Sequence, residues 1–365
     1  MLKRLYVHNY KCLVNFEINF DKDISLFLGA NGSGKSTVFE VLTKLRRVII
    51  DEEKIENVFN KYHITRWLDE SERKNVNIHF ELDIEIGESI YKYKLVLWHL
   101  YVISDDIMMS EESLYHNNKM LIESKDGKTS VISFKENEEL LLDITRSGIN
   151  RYLSFYAKEF LQYLRTLLVV RINPYEMASS ISKANAEVKT DFSNYAEWFS
   201  HLNEKNRRGV SEFEKAMRDI IPGFDYFRID QAGQAKVLQV DFENNGIITY
   251  YFNELSEGQK VLIALYSVIY CAPESSLICI DEPENFLALP EIQPWLNALR
   301  EQCRERNMQV LLISHHPSLI NFLAAGSGYW FSRQDNHTRI EKITEQDNDG
   351  LSLAQLIEIG WIYGD

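Results

Sequence analysis

The stretch Gly29-Ala30-Asn31-Gly32-Ser33-Gly34-Lys35-Ser36 constrains this chain more than any other. It fits Gly-x-x-x-x-Gly-Lys-Ser/Thr, with an apolar run from Ile24 to Leu28 before it and a helical pattern from about Lys35 to Val48 after it. In such a strand, loop and helix, the glycines let backbone wrap closely around phosphates, while N–H groups and the helix N-terminus supply positive potential. Lys35 is placed to reach β- and γ-phosphates, the Ser36 hydroxyl to ligate Mg²⁺, and Thr37 completes the phosphate-binding set. A glycine-rich turn that matched by accident would occur in only about 1% of chains this long, and the strand and helix on either side make it rarer still.

A second element is Leu277-Ile278-Cys279-Ile280-Asp281-Glu282, an apolar strand ending in two acids. Alone it could be an ordinary strand with an acidic turn. Beside a phosphate loop, Asp281 is expected to hold the metal through water and Glu282 to polarise an attacking water. A third element, Leu255-Ser256-Glu257-Gly258-Gln259, precedes an apolar helical run from Val261 to Tyr270. Ser256 and Gln259 also form a capping-box pattern, so locally the segment could be no more than a well-started helix. The fourth is Val310-Leu311-Leu312-Ile313-Ser314-His315-His316, a strand ending in Ser-His.

In this order, the four elements resemble the motifs of ABC-type ATPases. The resemblance covers about residues 1–60 and 245–320 directly and the region between only loosely. It implies an α/β fold: an ABC-type ATPase head, meaning a P-loop sheet with an antiparallel β subdomain, plus a mainly helical insertion. It implies ATP and Mg²⁺ as ligands, and ATP hydrolysis as the activity. Leu255 to Gln259 would be the signature motif, which in the family binds the γ-phosphate held by another subunit. The resemblance, rather than the spacing, therefore implies an ATP-dependent homodimer or higher homo-oligomer. His315, after the serine, matches the family's switch histidine, and His316 reads as its neighbour.

More than half the chain lies between Lys35 and Ser256, whereas transporter subunits that resemble it in these motifs place the two far closer. Transporters also carry a glutamine in a loop after the phosphate-binding helix, and no glutamine occurs here between Ser36 and Gln162. The opening Leu5-Tyr6-Val7-His8-Asn9-Tyr10-Lys11-Cys12-Leu13 resembles instead the first strand and loop of RecF, SMC and OLD-type ATPases, where a basic residue at about Lys11 often lies near the nucleotide. Asp281 to Phe286 and the closing Gly350 to Leu356 look similar to small RecF/OLD-like AAA-type ATPases, many of them from bacterial anti-phage defence modules. SMC-type arms are absent from the pattern, and residues 317–365 are too few for an OLD-type nuclease domain. The chain reads as an ATPase engine that controls a separate effector protein, and fold alone does not fix that role.

Composition sets the remaining bounds. Forty-five per cent hydrophobic residues permit a sizeable core, and a net charge of -14 argues against a broadly basic surface. No membrane span or signal peptide is expected, and Cys12, Cys271, Cys279 and Cys303 form no CxxC pair, so a cytoplasmic protein with reduced thiols is expected. Alternating residues from Val76 to Ile86 and from Tyr91 to Leu97 predict antiparallel strands continuing to about Phe134. Helical periodicity is expected over about Asn150 to Val170 and Tyr195 to Ile221, stopped by Pro222-Gly223. The expected organisation is a discontinuous head, residues 1–135 and 222–365, with a helical insertion at 136–221 for partner or dimer contacts. Arg151, Lys158 and Arg165 recur every seven residues among aromatics. That ridge could meet nucleic acid or an acidic protein, or be a solvated helix face. Nucleic acid thus stays open as a partner, and a RecF-like DNA-binding repair or recombination ATPase is the alternative reading.

Overall fold

Why the chain forms two kinds of sheet is visible in where its apolar residues fall. The structure is a computed structural model that describes residues 1–67, 76–99, 106–125, 128–132, 143–233, 235–343 and 352–358. Two compact units result: Met1–Leu167 with Gly326–Gln346, and Leu168–Ala325 with Asp347–Asp365.

In the first unit, β1 (Leu2–His8) pairs antiparallel with β2 (Phe16–Asn19), whereas β3 (Ile24–Leu28) has every residue buried. Such a fully buried run, apolar but for Ser25, suits a strand covered on both faces. Helix α1 (Lys35–Ile49) buries Val38, Phe39, Val41, Leu42, Leu45, Val48 and Ile49, the three-and-four spacing of an amphipathic helix. Helix α2 (Ile55–Val58) is a single turn. A meander follows: β4 (Asn77–Ile86), β5 (Ser89–His99), β6 (Ile107–His116), β7 (Lys119–Lys125) and β8 (Lys128–Val131). With β1 and β2 it forms one seven-stranded sheet in the order β2-β1-β4-β5-β6-β7-β8. Along β4, Ile78, Phe80, Leu82 and Ile84 are buried while the residues between them are not, as a half-buried strand requires. Asn117 and Asn118, both at positive φ, close the β6–β7 hairpin in the primed-turn geometry that matches strand twist. Two short helices, α3 (Ile149–Leu153) and α4 (Lys158–Arg165), complete this stretch.

The second unit opens with β9 (Leu168–Val170), where the periodicity had predicted helix. A short apolar run does not distinguish a buried strand from a helix segment by period, and here the β-branched Val169-Val170 pair goes to sheet. A two-residue strand, β10 (Ser180–Ile181), precedes helices α5 (Tyr195–Lys205) and α6 (Arg207–Ile220), which divide the second expected helix at Asn206. The Asn206 side chain accepts the Gly209 N–H at 3.1 Å and so caps α6. Strands β11 (Phe224–Ala232), β12 (Ala235–Glu243) and β13 (Ile247–Tyr251) join β10 in an antiparallel sheet. Phe227 of β11 meets Phe199 of α5 at 4.7 Å and Phe213 of α6 at 5.5 Å between ring centroids. Helix α7 (Glu257–Cys271) is buried on nearly every side from Lys260 onward, which explains the apolar run from Val261 to Tyr270, interrupted only by Ser267. The parallel strands β14 (Leu277–Asp281) and β15 (Gln309–Ile313) follow, β14 pairing with β9 and β15, with α8 (Leu289–Arg306) between them in sequence.

Helix α9 (Pro317–Ser327) leads back to the first unit, where β16 (Gly328–Gln334) pairs parallel with β3 and antiparallel with β17 (His337–Lys342). In the closing segment, Ser352 caps α10 (Leu353–Glu358), while Gly350 and Leu351 lie outside the described residues. Helices α3 and α4 fall in the first unit and α5 and α6 in the second; of the expected insertion at 136–221, residues 136–142 lie outside the described ones. The basic ridge is no single helix face either. Arg151 is on α3 and Lys158 and Arg165 are on α4, because the chain leaves helical geometry between Leu153 and Lys158. All four cysteines are free and buried. Among the described residues no helix is long and apolar enough to cross a membrane.

Candidate nucleotide site

The phosphate loop lies wholly in the first unit. Strand β3 delivers it and α1 receives it, with Gly29, Gly32 and Gly34 at φ of 131°, 78° and 109°. Two of these glycines have no substitute on steric grounds. A Cβ on Gly29 would lie 2.0 Å from the Phe331 carbonyl oxygen, and one on Gly34 would lie 2.4 Å from Thr338 Oγ1. Gly32 has open space around it, as a rim that receives a ligand needs. The floor of the loop (Gly29, Ser33, Gly34 and Lys35) is buried, whereas Ala30, Asn31, Gly32 and Ser36 are exposed.

Lys35 folds back over the loop. Its Nζ donates to the Gly29 carbonyl at 2.6 Å and the Ala30 carbonyl at 2.9 Å, with Ser33 Oγ at 3.5 Å. A cation held by carbonyl oxygens inside a ring of backbone can exchange those partners for phosphate oxygens. No side chain caps α1 and no acid sits in its first turn, so its N-terminal potential is not already neutralised by the chain. Thr37 N–H donates to the Gly34 carbonyl at 3.1 Å, closing the first turn. This cradle fits a nucleotide phosphate.

Lys11 sits at φ 50° in the loop after β1, and its Nζ meets Glu40 Oε2 of α1 at 2.5 Å. Tyr10 donates its hydroxyl to the other Glu40 oxygen at 2.8 Å. Burial raises the Glu40 pKa, but Lys11, Tyr10 and Lys44 outweigh it and hold the carboxyl below its ordinary value. Lys11 is thus anchored to the helix that the loop feeds.

The other predicted residues lie in the second unit. Asp281 ends β14 and is buried, and Glu282 follows at φ 53° with its N–H donating to the Ile313 carbonyl at 2.9 Å. Arg171 Nη2 reaches Glu282 Oε2 at 2.9 Å, and Asn285 Nδ2 reaches the same oxygen at 3.1 Å. Ser256 caps α7: its Oγ accepts the Gln259 N–H at 3.3 Å and Gln259 Oε1 accepts the Ser256 N–H at 3.1 Å. The capping box is therefore present, whatever else the segment does. Leu255 is buried beneath it, Glu257 opens the helix, and a Cβ on Gly258 would lie 3.0 Å from the Phe286 carbonyl oxygen. The signature-like helix therefore starts against the turn that follows the two acids. His315 is exposed at the end of β15, while His316 Nδ1 accepts the Ser318 N–H at 3.1 Å, a structural bond at the start of α9. Among the described residues no three His, Cys, Asp or Glu side chains cluster as metal ligands. Ser36 and Asp281, the residues expected to hold Mg²⁺, belong to different units.

Sequence reasoning missed Arg171, Asn285 and Thr338. Thr338 donates its hydroxyl to the Ser33 carbonyl at 2.7 Å and so braces the phosphate loop from β17. No motif marks a threonine so far from the loop it supports.

Fold and phosphate loop together define a P-loop ATPase of the ABC/SMC-like class. The chain belongs to the family described as "AAA domain, putative AbiEii toxin, Type IV TA system", which matches residues 24–321, most of its length. Among solved structures it is similar to an SMC head bound to the C-winged helix domain of ScpA. Identity there is 13% and the TM-score 0.55, over 94% of this chain and 98% of that one. An SMC head domain from Thermotoga maritima aligns at 14% identity and a TM-score of 0.49, over 94% of this chain and 99% of that one. No curated protein matches the sequence. The mixed α/β architecture is that of an ABC-type ATPase head.

Proposed function

We propose that this chain hydrolyses ATP as a switch: two copies close around nucleotide, hydrolysis reopens them, and a separate effector protein reads the difference. The observation that carries this reading is the Gly29–Ser36 loop, whose buried Lys35 ammonium donates to the Gly29 and Ala30 carbonyls, partners that phosphate oxygens can replace. Gly29 to Thr37 bind the phosphates in this proposal, with Lys11 at the margin of the site. Glu282 polarises the water that attacks the γ-phosphorus, and His315 meets the γ-phosphate. Leu255 to Gln259 contact the nucleotide of the opposite copy. Mg²⁺, when bound, would neutralise phosphate charge, with Ser36 and Asp281 as the residues to hold it.

The solved SMC head bound to the C-winged helix domain of ScpA supports a separate polypeptide as partner class for a head of this fold. The family description names a putative toxin of a type IV TA system, and a role in bacterial anti-phage defence is part of this proposal. The test is Glu282→Gln, which keeps the side chain's shape but removes its charge. With ATP it should accumulate a larger species in light scattering and turn over no phosphate. A variant that stays at its nucleotide-free size with saturating ATP would overturn the switch.

A further inference from the structure

Strands β9 and β14 run parallel with Val170 opposite Ile280, so the residues that leave their ends emerge side by side. From β14 comes Glu282, and from β9 comes Arg171. The backbone of each is fixed: Arg171 N–H donates to the Thr190 carbonyl at 2.7 Å, and Glu282 N–H donates to the Ile313 carbonyl at 2.9 Å. Across this short gap the Arg171 guanidinium and the Asn285 amide both donate to one carboxylate oxygen, Oε2. Two bonds to the same oxygen restrict rotation of the carboxylate and leave Oε1 as the oxygen for a further donor.

A general base must hold its accepting oxygen within hydrogen-bond reach of the proton it takes, and geometry precedes basicity in that requirement. We propose that Arg171, assisted by Asn285, is a positioning residue that orients Glu282 so that Oε1 faces the attacking water. The inference rests on the reading of Glu282 as the water-polarising residue. Arg171 is 63% exposed, and an exposed ion pair contributes little to folding. Its removal should therefore alter what Glu282 does without unfolding the chain.

Steady-state ATP hydrolysis and binding of a fluorescent ATP analogue, measured on the full chain, test this. Arg171→Ala should lower kcat by about 10-fold or more while KM and analogue affinity stay within about twofold, the pattern of an interaction made only in the transition state. Arg171→Lys, which keeps one cationic donor, should recover part of the loss, and Asn285→Ala should lose less than Arg171→Ala. In a Glu282→Gln background, Arg171→Ala should have no further effect, since residues acting through one another are not additive. Wild-type or raised kcat in Arg171→Ala would overturn the inference, as would a loss confined to KM. Parental turnover in Glu282→Gln alone would instead remove the reading of Glu282 itself, and the two failures are told apart by that single variant.

Discussion

The carboxylate of Glu284 accepts the Ser314 hydroxyl at 2.7 Å and the His315 N–H at 3.1 Å. Ser314 Oγ in turn accepts the His316 N–H at 3.0 Å, so the turn after the acidic strand is tied to the strand end that presents His315. Glu284 is a scaffold for that histidine. Glu284→Ala leaves the buried Ser314 hydroxyl and the His315 N–H without their acceptor, a loss of about 1–3 kcal/mol. The thermal midpoint should fall, and ATP turnover should fall with it while ATP affinity is retained. Glu284→Gln keeps an amide oxygen for these donors and should recover most of the stability. Thermal melts and phosphate release check both outcomes.

Thr338 makes a separate prediction, about the loop itself. Its hydroxyl donates to the Ser33 carbonyl and its N–H to the Cys12 carbonyl, which pins the phosphate loop between β17 and the opening loop. Thr338→Val keeps the shape and removes the donor, at a net cost of about 0.5–1.5 kcal/mol. ATP affinity should weaken several-fold, because a looser loop must be ordered again on binding. Gly34→Ala should abolish binding, since its Cβ would collide with Thr338 Oγ1 at a φ of 109°. Titration calorimetry with ATP distinguishes a graded loss from a complete one.

These two sites mark how far the sequence was legible. Gly29 to Ser36, β3, α1 and β14 could be read because each is a local pattern: a spaced motif, an apolar run or a helical period. Strand β9 was misread as helix, since three apolar residues carry no period and its sheet partner β14 lies more than a hundred residues on. Arg171 and Thr338 were missed for the same reason. Their roles are set by a neighbouring strand, and a single arginine or threonine carries no local sign of it.

A third prediction concerns His63, whose Nδ1 accepts the Asn60 N–H at 3.0 Å and whose ring stacks on Tyr10 at 5.5 Å. Burial, followed by the Lys44 and Lys11 charges, lowers its pKa to about 4, with Glu40 opposing them. Between about pH 4 and 6.5 the unfolded chain binds the proton and the folded chain does not. The contribution of His63 to stability is therefore present above about 6.5 and is lost as pH falls through about 4. Nitrogen-detected NMR should find a neutral ring with its proton on Nε2 at pH 6. A titration midpoint near the ordinary histidine value would show that the pocket does not exclude the charge.

Lys35 supports a fourth prediction. Its Nζ is the ammonium that the loop itself holds, through the Gly29 and Ala30 carbonyls. Lys35→Ala removes that charge and leaves both carbonyls facing the phosphate position, so ATP affinity should drop by at least about 100-fold, or about 2.7 kcal/mol. The fold should persist, because the strand and helix on either side keep their own cores. Retained ATP binding in a folded variant would place the nucleotide elsewhere.

Ser256 has two candidate roles that a single substitution separates. As an N-cap its Oγ accepts the Gln259 N–H; as part of a signature motif it faces the nucleotide of another copy. Aspartate caps helices as well as serine does, and its charge suits the helix N-terminus. Ser256→Asp should therefore keep the thermal midpoint of the parent. The same carboxylate would repel a γ-phosphate, so in a Glu282→Gln background Ser256→Asp should abolish the ATP-dependent larger species. Ser256→Ala should do the reverse in kind: it loses about 1 kcal/mol of cap stability, and it introduces no repulsion, so much of the ATP-dependent assembly should survive. Light scattering and thermal melts on the same three proteins give the comparison. If Ser256→Asp assembles with ATP as fully as the Glu282→Gln parent, Ser256 is a helix cap alone, and the contact across two copies has to be sought on another surface.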